Sequence, residues 1–369
     1  MSIVWTVLGW LFTAVFGLLI VSMLLLHNWL HAFVLLLVLL LVLPPVSSLL
    51  KTRFDLTIHP LLRGVVIFVL LFVFVRLLTG EEATSIYASP EVKAQFLAIY
   101  DAKMAEWPVP YEDIFLDTEY GVVHVIASGP EDAPPMLLLH ASGVSGWSWK
   151  FNVADFSQDY RTYAIDLIGD AGKSEFANLT HILKTRQDQA DLYADICDKL
   201  GLEKVYVVGA SEGGFIGSNF ALYYPERVEK LALLGPMGYA GATETVTRIM
   251  LTQFFPLKQV QESMLHWAFG DGPELNEEVG EWFRLFVTQT VPQKVAPLPL
   301  PAAQRQSLSL PVLFVFGKGD NLVGDPEAAR ALVQDMPDVR VAVVDAGHLM
   351  GAEAPELVNE LVLNFFATD

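Results

Sequence analysis

Apolar positions are distributed unevenly along the chain, and the first 80 residues hold long stretches with almost no polar interruption. A helix needs roughly 20 apolar residues to cross a bilayer. Pro44 and Pro45 would kink or shorten the second stretch, and Arg76 near the end of the third can reach the headgroups. We predict a transmembrane region over residues 1–80 with about three helices, two being the alternative. The stretches are residues 3–26, 32–50 and 61–78.

Basic residues around these stretches indicate an orientation. Lys51, Arg53 and Arg63 follow the second stretch, whereas no Lys or Arg precedes the first. The positive-inside rule places that basic loop in the cytoplasm, so three spans would leave everything after about Gly80 outside. A cleaved signal peptide is the alternative for the first stretch, but its apolar run is too long and lacks a basic start. The predicted location is the cytoplasmic (inner) membrane, with several passes and the later domain on the extracytoplasmic side.

After residue 80 the pattern changes to that of a folded domain preceded by a connector. Residues 81–110 form the connector, in which residues 90–106 have the period of an amphipathic helix. Its apolar face would pack on the domain that follows. That face consists of Phe96, Leu97, Tyr100 and Met104.

Short apolar runs without alternation then recur between helix-like segments such as 187–200. Such runs are typical of a mostly parallel sheet that is buried on both faces, so the predicted fold class is α/β with about eight strands. The core of this domain would comprise residues 111–236 and 309–369. The runs are 114–116, 122–126, 136–139, 163–165, 205–208, 231–234, 312–316 and 339–344.

Between residues 237 and 308 the strand pattern stops and helix-like segments rich in aromatic residues replace it. We interpret this part as a helical cap inserted into the sheet domain. The aromatic rings would form the cap's own small core, and some of them would line an apolar pocket. They are Phe254, Phe255, Trp267, Phe269, Trp282, Phe283 and Phe286.

Composition and charge narrow the possible partners. The chain has a formal net charge of −19, concentrated after residue 80, which disfavours a nucleic acid as partner. Cys197 is the only cysteine, so no intramolecular disulfide can form, and its place in a helical pattern predicts a core residue. His27, His31 and His266 lack a convincing ligand set, so no metal or organic cofactor is expected. The sequence gives no indication of oligomeric state.

The motif with the clearest chemistry is Gly209-Ala210-Ser211-Glu212-Gly213, which follows the run 205–208 and precedes a helix-like run. In that context G-x-S-x-G is typical of a nucleophile elbow. The small flanking residues permit a sharp turn that presents the serine side chain. Ser211 is therefore the predicted nucleophile.

Asp320 and His348 each follow a later apolar run. Since the carboxyl ends of parallel strands meet at one edge of the sheet, their loops should open beside Ser211. The order Ser, Asp, His supplies a nucleophile, an orienting carboxylate and a general base. Asp325 is an alternative to Asp320, and Asp345 is a weaker one.

Two further motifs follow neighbouring runs: His140-Ala141-Ser142-Gly143, and Asp166 to Ser174, which reads D-x-x-G-x-x-G-x-S and is similar to a D-x-x-G-x-G-x-S loop. With the elbow and the triad order, they resemble the alpha/beta-hydrolase superfamily over about residues 111–366, and within it small bacterial carboxylesterases. The resemblance implies an oxyanion hole made by the backbone N–H groups of Ser142 and Glu212. Ala141 stands where the family has glycine, so Ala141 is an alternative donor to Ser142.

Glu212 is an unusual neighbour for the nucleophile. Its carboxylate could influence the imidazole or contact a polar substrate group. We favour a solvated or hydrogen-bonded glutamate at a helix N-terminus.

The resemblance implies a serine hydrolase that cleaves carboxylic esters of apolar acyl groups through an acyl-enzyme. Residues 1–80 lie outside the resemblance, and their hydropathy alone predicts that this hydrolase is membrane-anchored. Its partners would be a small-molecule or lipid-like ester and the membrane lipid bilayer. A C–C bond hydrolase or thioesterase with the same triad, or a non-catalytic binding module, are the alternatives. The predicted substrate pocket consists of His140, Gly143, Trp147, Met237, Trp267 and Leu349.

Overall fold

The computed structural model describes residues 85–239, 258–269 and 280–368, together with residues 34–36, 38 and 70. The chain divides into two compact units, Met1–Ala83 and Thr84–Asp369. The predicted membrane spans lie outside the described residues except for those few N-terminal positions. Among the residues that are described, no helix combines the length and the apolar character needed to span a bilayer.

The described residues contain one sheet of nine strands. The eight strands that the apolar runs predict are all present. The ninth, Glu175–Phe176, pairs with Gly121–Ser128 and was not predicted because it is only two residues long, too short for a hydropathy pattern. The strands are β1 Tyr111–Asp117, β2 Gly121–Ser128, β3 Pro135–Leu139, β4 Arg161–Ile165, β5 Glu175–Phe176, β6 Val205–Ala210, β7 Val228–Leu234, β8 Val312–Gly317 and β9 Val339–Val344.

The strand order β1-β2-β4-β3-β6-β7-β8-β9 makes the sheet mostly parallel. The antiparallel pairs all involve β2, which pairs with β1, β4 and β5. Along the strand order from β4 to β9, every neighbouring pair is parallel. The chain leaves β3 toward β4 on one side, while β6 pairs with β3 on the other. In open α/β sheets a ligand crevice forms where the strand order reverses in this way, at the carboxyl ends of the strands.

Alternate residues of the strands enter two different cores, because successive side chains of a strand point to opposite faces. In β3, Leu137 and Leu139 join one core, whereas Met136 and Leu138 join the other. All four side chains are fully buried. Burial on both faces explains why the strands read as continuous apolar runs.

Helices cover both faces of the sheet. One core includes side chains of α3, α4 and α8, and the other includes side chains of α1, α2, α6 and α10. Short 3₁₀ helices lie at Gly146–Phe151 and Pro225–Arg227. The α-helices are α1 Pro90–Met104, α2 Val153–Asp159, α3 Arg186–Lys199, α4 Glu212–Tyr223, α5 Lys258–Phe269, α6 Gly280–Gln289, α7 Ala302–Ser307, α8 Pro326–Val333, α9 Met350–Glu353 and α10 Pro355–Ala367.

The connector helix α1 begins at a capping serine and packs on the sheet domain. The Ser89 side chain accepts a hydrogen bond from the N–H of Val92, and Pro90 occupies the first turn. Phe96, Tyr100 and Met104 are buried at a spacing of four residues. Leu97, which was assigned to the same face, is only half-buried.

The described part of residues 237–308, the predicted cap, contains the helices α5, α6 and α7. The Trp282 ring of α6 is fully buried and meets Phe96 of α1 edge-to-face, with ring centroids 4.8 Å apart. A backbone pairing joins the same two regions: the N–H of Ala88 donates to the Gln289 carbonyl, and that of Val291 donates to the Ile86 carbonyl. The connector and the cap are therefore held together.

Candidate active site

The backbone of Ser211 is strained in the manner of a nucleophile elbow. Its φ is 50° and its ψ is −109°, and no other non-glycine residue of the described chain has a positive φ. A Cβ on Gly209 would lie 2.5 Å from the Gly213 carbonyl oxygen, and one on Gly213 would lie 2.1 Å from the Leu139 carbonyl oxygen. Glycine is thus required at both positions for the helix α4 to approach β3 closely.

Backbone hydrogen bonds fix the elbow against its neighbours. The Ser211 N–H donates to the Leu234 carbonyl oxygen at 2.9 Å, and its carbonyl accepts from Met237 N–H at 3.0 Å. The Gly213 N–H donates to the His140 carbonyl oxygen at 3.1 Å. The loops after β3, β6 and β7 are therefore joined around Ser211.

Asp320 and His348 meet at the same edge of the sheet. Asp320 Oδ2 lies 2.8 Å from His348 Nδ1, and Asp320 Oδ1 accepts the N–H groups of Leu322 and Val323 at 2.9 Å each. Both side chains are buried. Because the Asp320 carboxylate accepts this hydrogen bond, His348 Nδ1 carries the proton. The lone pair of His348 Nε2 is then free to accept a proton from a nucleophile.

The two alternative acids lie elsewhere. Asp325 is exposed and caps α8, where its side chain accepts from the N–H of Glu327. Asp345 is also exposed. Neither is bonded to His348, so Asp320 is the acid that the structure pairs with the imidazole.

Glu353 holds the loop that carries His348. Its two carboxylate oxygens accept the N–H groups of Gly347 and Leu349, the residues on either side of the histidine. A Cβ on Gly347 would lie 2.9 Å from those oxygens, so glycine allows the carboxylate to approach. Glu353 could not be predicted from the sequence, because no motif marks a residue that acts through backbone groups.

An apolar cleft opens beside His348 and the elbow. Of the predicted pocket residues, His140, Trp147 and Leu349 line it. The His140 ring itself is occupied: Nε2 accepts the N–H of Leu167 at 2.9 Å, so Nδ1 is protonated and donates to the Ala141 carbonyl at 2.8 Å. His140 therefore fixes the loop after β3. Other lining residues include Val144, Trp149, Phe151, Met350 and Ala210.

The structure places the other three predicted pocket residues outside the lining of this cleft. Gly143 lies against the Phe283 ring, which a Cβ would approach to 2.8 Å. Met237 packs against the core on the α3 and α4 face. The Trp267 carbonyl accepts a hydrogen bond from Asn321, so this residue attaches α5 to the loop after β8.

The residues predicted to form the oxyanion hole meet around a lysine. Lys294 Nζ donates to Ser142 Oγ at 2.6 Å, to Asp170 Oδ2 at 2.7 Å and to a Glu212 carboxylate oxygen. Glu212 is buried and hydrogen-bonded, which is one of the two environments expected for a glutamate at this helix N-terminus. Its backbone N–H lies in the first turn of α4, where helix N–H groups have no intrahelical partner. Burial lowers the pKa of Lys294, but the two carboxylates outweigh it and raise that pKa above its ordinary value.

The motif from Asp166 to Ser174 orders the loops around this site through Asp166. The buried carboxylate accepts from Ser145 Oγ at 2.6 Å, from the N–H of Gly146 at 2.8 Å and from His124 Nδ1 at 3.0 Å. Burial would raise the pKa of Asp166, but the hydrogen bond and charge of His124 outweigh it and lower the pKa to about 2. Asp166 is therefore ionised and ties the loop after β3 to β2.

The chain matches the Alpha/beta hydrolase family over residues 136–361, which is more than half of its length. The chain belongs to this family. The match includes the elbow, the Asp166 loop and both members of the pair Asp320 and His348. An alpha/beta hydrolase is an enzyme, and the arrangement of these groups can carry out nucleophilic hydrolysis.

Relatives of the chain within the alpha/beta hydrolase family include two Bacillus carboxylesterases. The uncharacterized carboxylesterase nap of Bacillus subtilis (strain 168) is 33% identical over 288 residues, 74% of this chain and 92% of that protein. Carboxylesterase YbfK of the same organism is 32% identical over 287 residues, 76% of this chain and 96% of that protein. The crystal structure of naproxen esterase (carboxylesterase NP) from Bacillus subtilis superposes with a TM-score of 0.70 at 32% identity, covering 75% of this chain and 99% of that one.

Proposed function

We propose that this alpha/beta hydrolase is a serine carboxylesterase with Ser211 as nucleophile, His348 as general base and Asp320 as the orienting acid. The observation that carries the proposal is the strained turn at Ser211 on the same edge as the 2.8 Å pair of His348 and Asp320. Similarity to two Bacillus carboxylesterases supports an ester as the substrate.

The proposed reaction proceeds by acyl transfer. His348 Nε2 takes the proton of Ser211 Oγ as Oγ attacks the ester carbonyl carbon, and the C–O bond to the alcohol then breaks while the alcohol takes that proton. Water repeats the attack on the acyl-enzyme and releases the acid. The backbone N–H groups of Glu212 and of Ser142, or of Ala141, would stabilise the negative oxygen in both steps.

The acyl group would be apolar. The cleft beside His348 is lined mainly by hydrocarbon and aromatic surface, including Trp147, Phe151 and Leu349. Such a lining favours the burial of an aliphatic or aromatic acyl chain over a charged one.

The first experiment compares the purified full-length protein with its Ser211→Ala variant on p-nitrophenyl esters of two to twelve carbons. We expect kcat/KM to fall by about 10³-fold or more in Ser211→Ala, since the nucleophile is lost. Ser157→Ala, a buried serine on α2, is the matched control and should retain wild-type rates. Equal rates in wild type and Ser211→Ala would contradict the proposal. If neither the wild-type protein nor its variants hydrolyse any of the esters, thioester cleavage, C–C cleavage or binding without chemistry would be favoured instead.

We also propose that residues 1–80 anchor the protein in the cytoplasmic membrane with the hydrolase domain outside. The hydropathy of that region and its basic loop support the proposal. Ser85 is exposed and Cys197 is buried, so Ser85→Cys introduces a single accessible thiol. A membrane-impermeant maleimide added to whole cells should label Ser85→Cys and leave the wild type unlabelled. Labelling that requires cell lysis would overturn the orientation.

A further inference from the structure

Lys294 joins three segments that are far apart in the sequence. Its partners Ser142, Asp170 and Glu212 lie 152, 124 and 82 positions away. An ammonium group has three N–H bonds, and here each has an oxygen acceptor. The lysine is therefore held by directed contacts, and its side chain is only 21% exposed.

The backbone on either side of Lys294 is fastened to the hydrolase core. We call residues 290–300, which follow α6, the strap. The Gln293 N–H donates to the Gly169 carbonyl at 3.0 Å, and the Leu300 N–H donates to the Gly238 carbonyl at 3.2 Å. Gly169 has a φ of +90°, and a Cβ there would lie 2.2 Å from the Gln293 carbonyl oxygen. This close seating fixes where the Lys294 side chain begins.

Two buried carboxylates surround the ammonium. Asp170 is 1% exposed and Glu212 is 6% exposed. The Asp170 carboxylate also accepts the N–H groups of Gly143 and Ala171, so it ties its own loop, which follows β4, to the loop that follows β3. Without Lys294, two negative charges would lie unpaired beside the site where negative charge develops on the substrate oxygen.

We propose that Lys294 is a positioning residue for the oxyanion hole, which it serves by holding Ser142 and Glu212 together and by offsetting the charges of Glu212 and Asp170. The inference rests on the proposed function, since it assigns the oxyanion to the N–H groups beside these side chains. Lys294 contacts the side chains of Ser142 and Glu212, whose backbone N–H groups are those donors, and it affects the oxyanion only through these two residues. Its role should appear in the stabilisation of the anion and leave the binding of the neutral ester unchanged.

The test measures both quantities in Lys294→Met. Kinetics with p-nitrophenyl butyrate give kcat and KM, and inhibition by butylboronic acid reports the tetrahedral anion: Ser211 Oγ adds to boron, its proton passes to His348, and boron becomes negatively charged. We expect kcat to fall and the boronate Ki to rise by about 100-fold each, with KM changed less than about twofold. Lys173→Met is the matched control, because Lys173 has the same 21% exposure and pairs with Asp101. It should leave all three values unchanged.

Glu212→Gln provides a second, milder variant. The amide oxygen still accepts from Lys294, while one negative charge is removed, so the boronate should bind at least about threefold tighter at unchanged KM. The double variant Glu212→Gln with Lys294→Met should regain at least about tenfold in kcat over Lys294→Met, because one of the two unpaired charges is gone. Should Lys294→Met fail to give a cooperative thermal transition, the Glu212→Gln result alone decides.

The outcomes separate this inference from the proposed function. Wild-type activity together with unchanged kcat and boronate Ki in Lys294→Met would overturn the role of Lys294 alone. A raised KM at unchanged kcat would also overturn it, since the lysine would then serve cap packing. A wild-type protein that neither hydrolyses the ester nor binds the boronate would contradict the proposed function and this inference together.

Discussion

A carboxylate on α9 positions the proposed general base without touching it. Glu353 accepts the N–H groups of Gly347 and Leu349, the two residues that flank His348. A pair of backbone bonds on both sides of one residue limits how far that residue can shift. Glu353 thereby fixes the backbone on both sides of His348, and Asp320 fixes its imidazole ring.

Replacing this carboxylate should reduce turnover more than binding. Glu353→Gln retains one acceptor oxygen and presents an NH₂ group to the other N–H, so the loop must move. We expect kcat for p-nitrophenyl butyrate to fall by about tenfold with KM nearly constant, since a small misplacement of a catalytic group is costly. Glu356→Gln, at an exposed position in the next helix, is the control. An unchanged kcat in Glu353→Gln would contradict the positioning role.

Single residues were predictable from the sequence where a motif or a strand end marked them. Ser211, Asp320 and His348 each follow a strand that appears in the sequence as an apolar run, so the elbow motif and the chain order were enough to predict that they share one edge of the sheet. Lys294 lies in a segment with three prolines and no period, far from its partners in the chain. Glu212 could have indicated that a cation such as Lys294 lies nearby, because a buried carboxylate needs a partner of opposite charge. The sequence does not show, however, that Glu212 is buried.

At the scale of elements, the sheet was predictable and the contacts of the cap were not. The central parallel strands, such as β3, β4 and β8, were predictable because they are buried on both faces and therefore continuously apolar. The edge strands β1 and β9 are less buried, and shorter or less uniform apolar runs mark them. The period of α6 marks it as a helix but does not show that Trp282 packs on the connector helix α1. That contact joins residues more than 180 positions apart, and it depends on tertiary packing alone.

The contact of α1 with α6 predicts the effect of a change at Trp282. The ring also lies edge-to-face with Trp147 of the cleft at 5.8 Å, and its Nε1 has no hydrogen-bond partner among the described residues. Trp282→Ala should lower the free energy of unfolding by about 3 to 5 kcal/mol, because it opens a large cavity. Trp282→Phe should cost clearly less, since it keeps an aromatic ring and removes an unpaired buried donor.

Thermal unfolding of the detergent-solubilised protein measures the difference. The midpoint should fall by several degrees more in Trp282→Ala than in Trp282→Phe. Equal midpoints for the two variants would show that the ring contributes little to the joint between cap and connector.

At the scale of the whole molecule, the chain divides close to the point where its composition changes. The second unit begins at Thr84, and the described part of it holds all the groups assigned to the proposed reaction. Composition could indicate this division because membrane-type and sheet-type hydropathy patterns differ in length. Composition could not indicate that the backbone of residues 85–88 forms hydrogen bonds with the end of the cap helix α6 and the residues that follow it.

The pairing of that connector with the cap sets a lower limit for anyone who shortens the protein. The family match begins at residue 136, yet Ile86 and Ala88 bond to Val291 and Gln289, a few residues before Lys294. A version that starts at the family boundary would lose those two bonds and the helix that covers Trp282, and so would release one end of the strap. Ser85 is therefore a better first residue for a truncated enzyme than residue 136, where the family match begins.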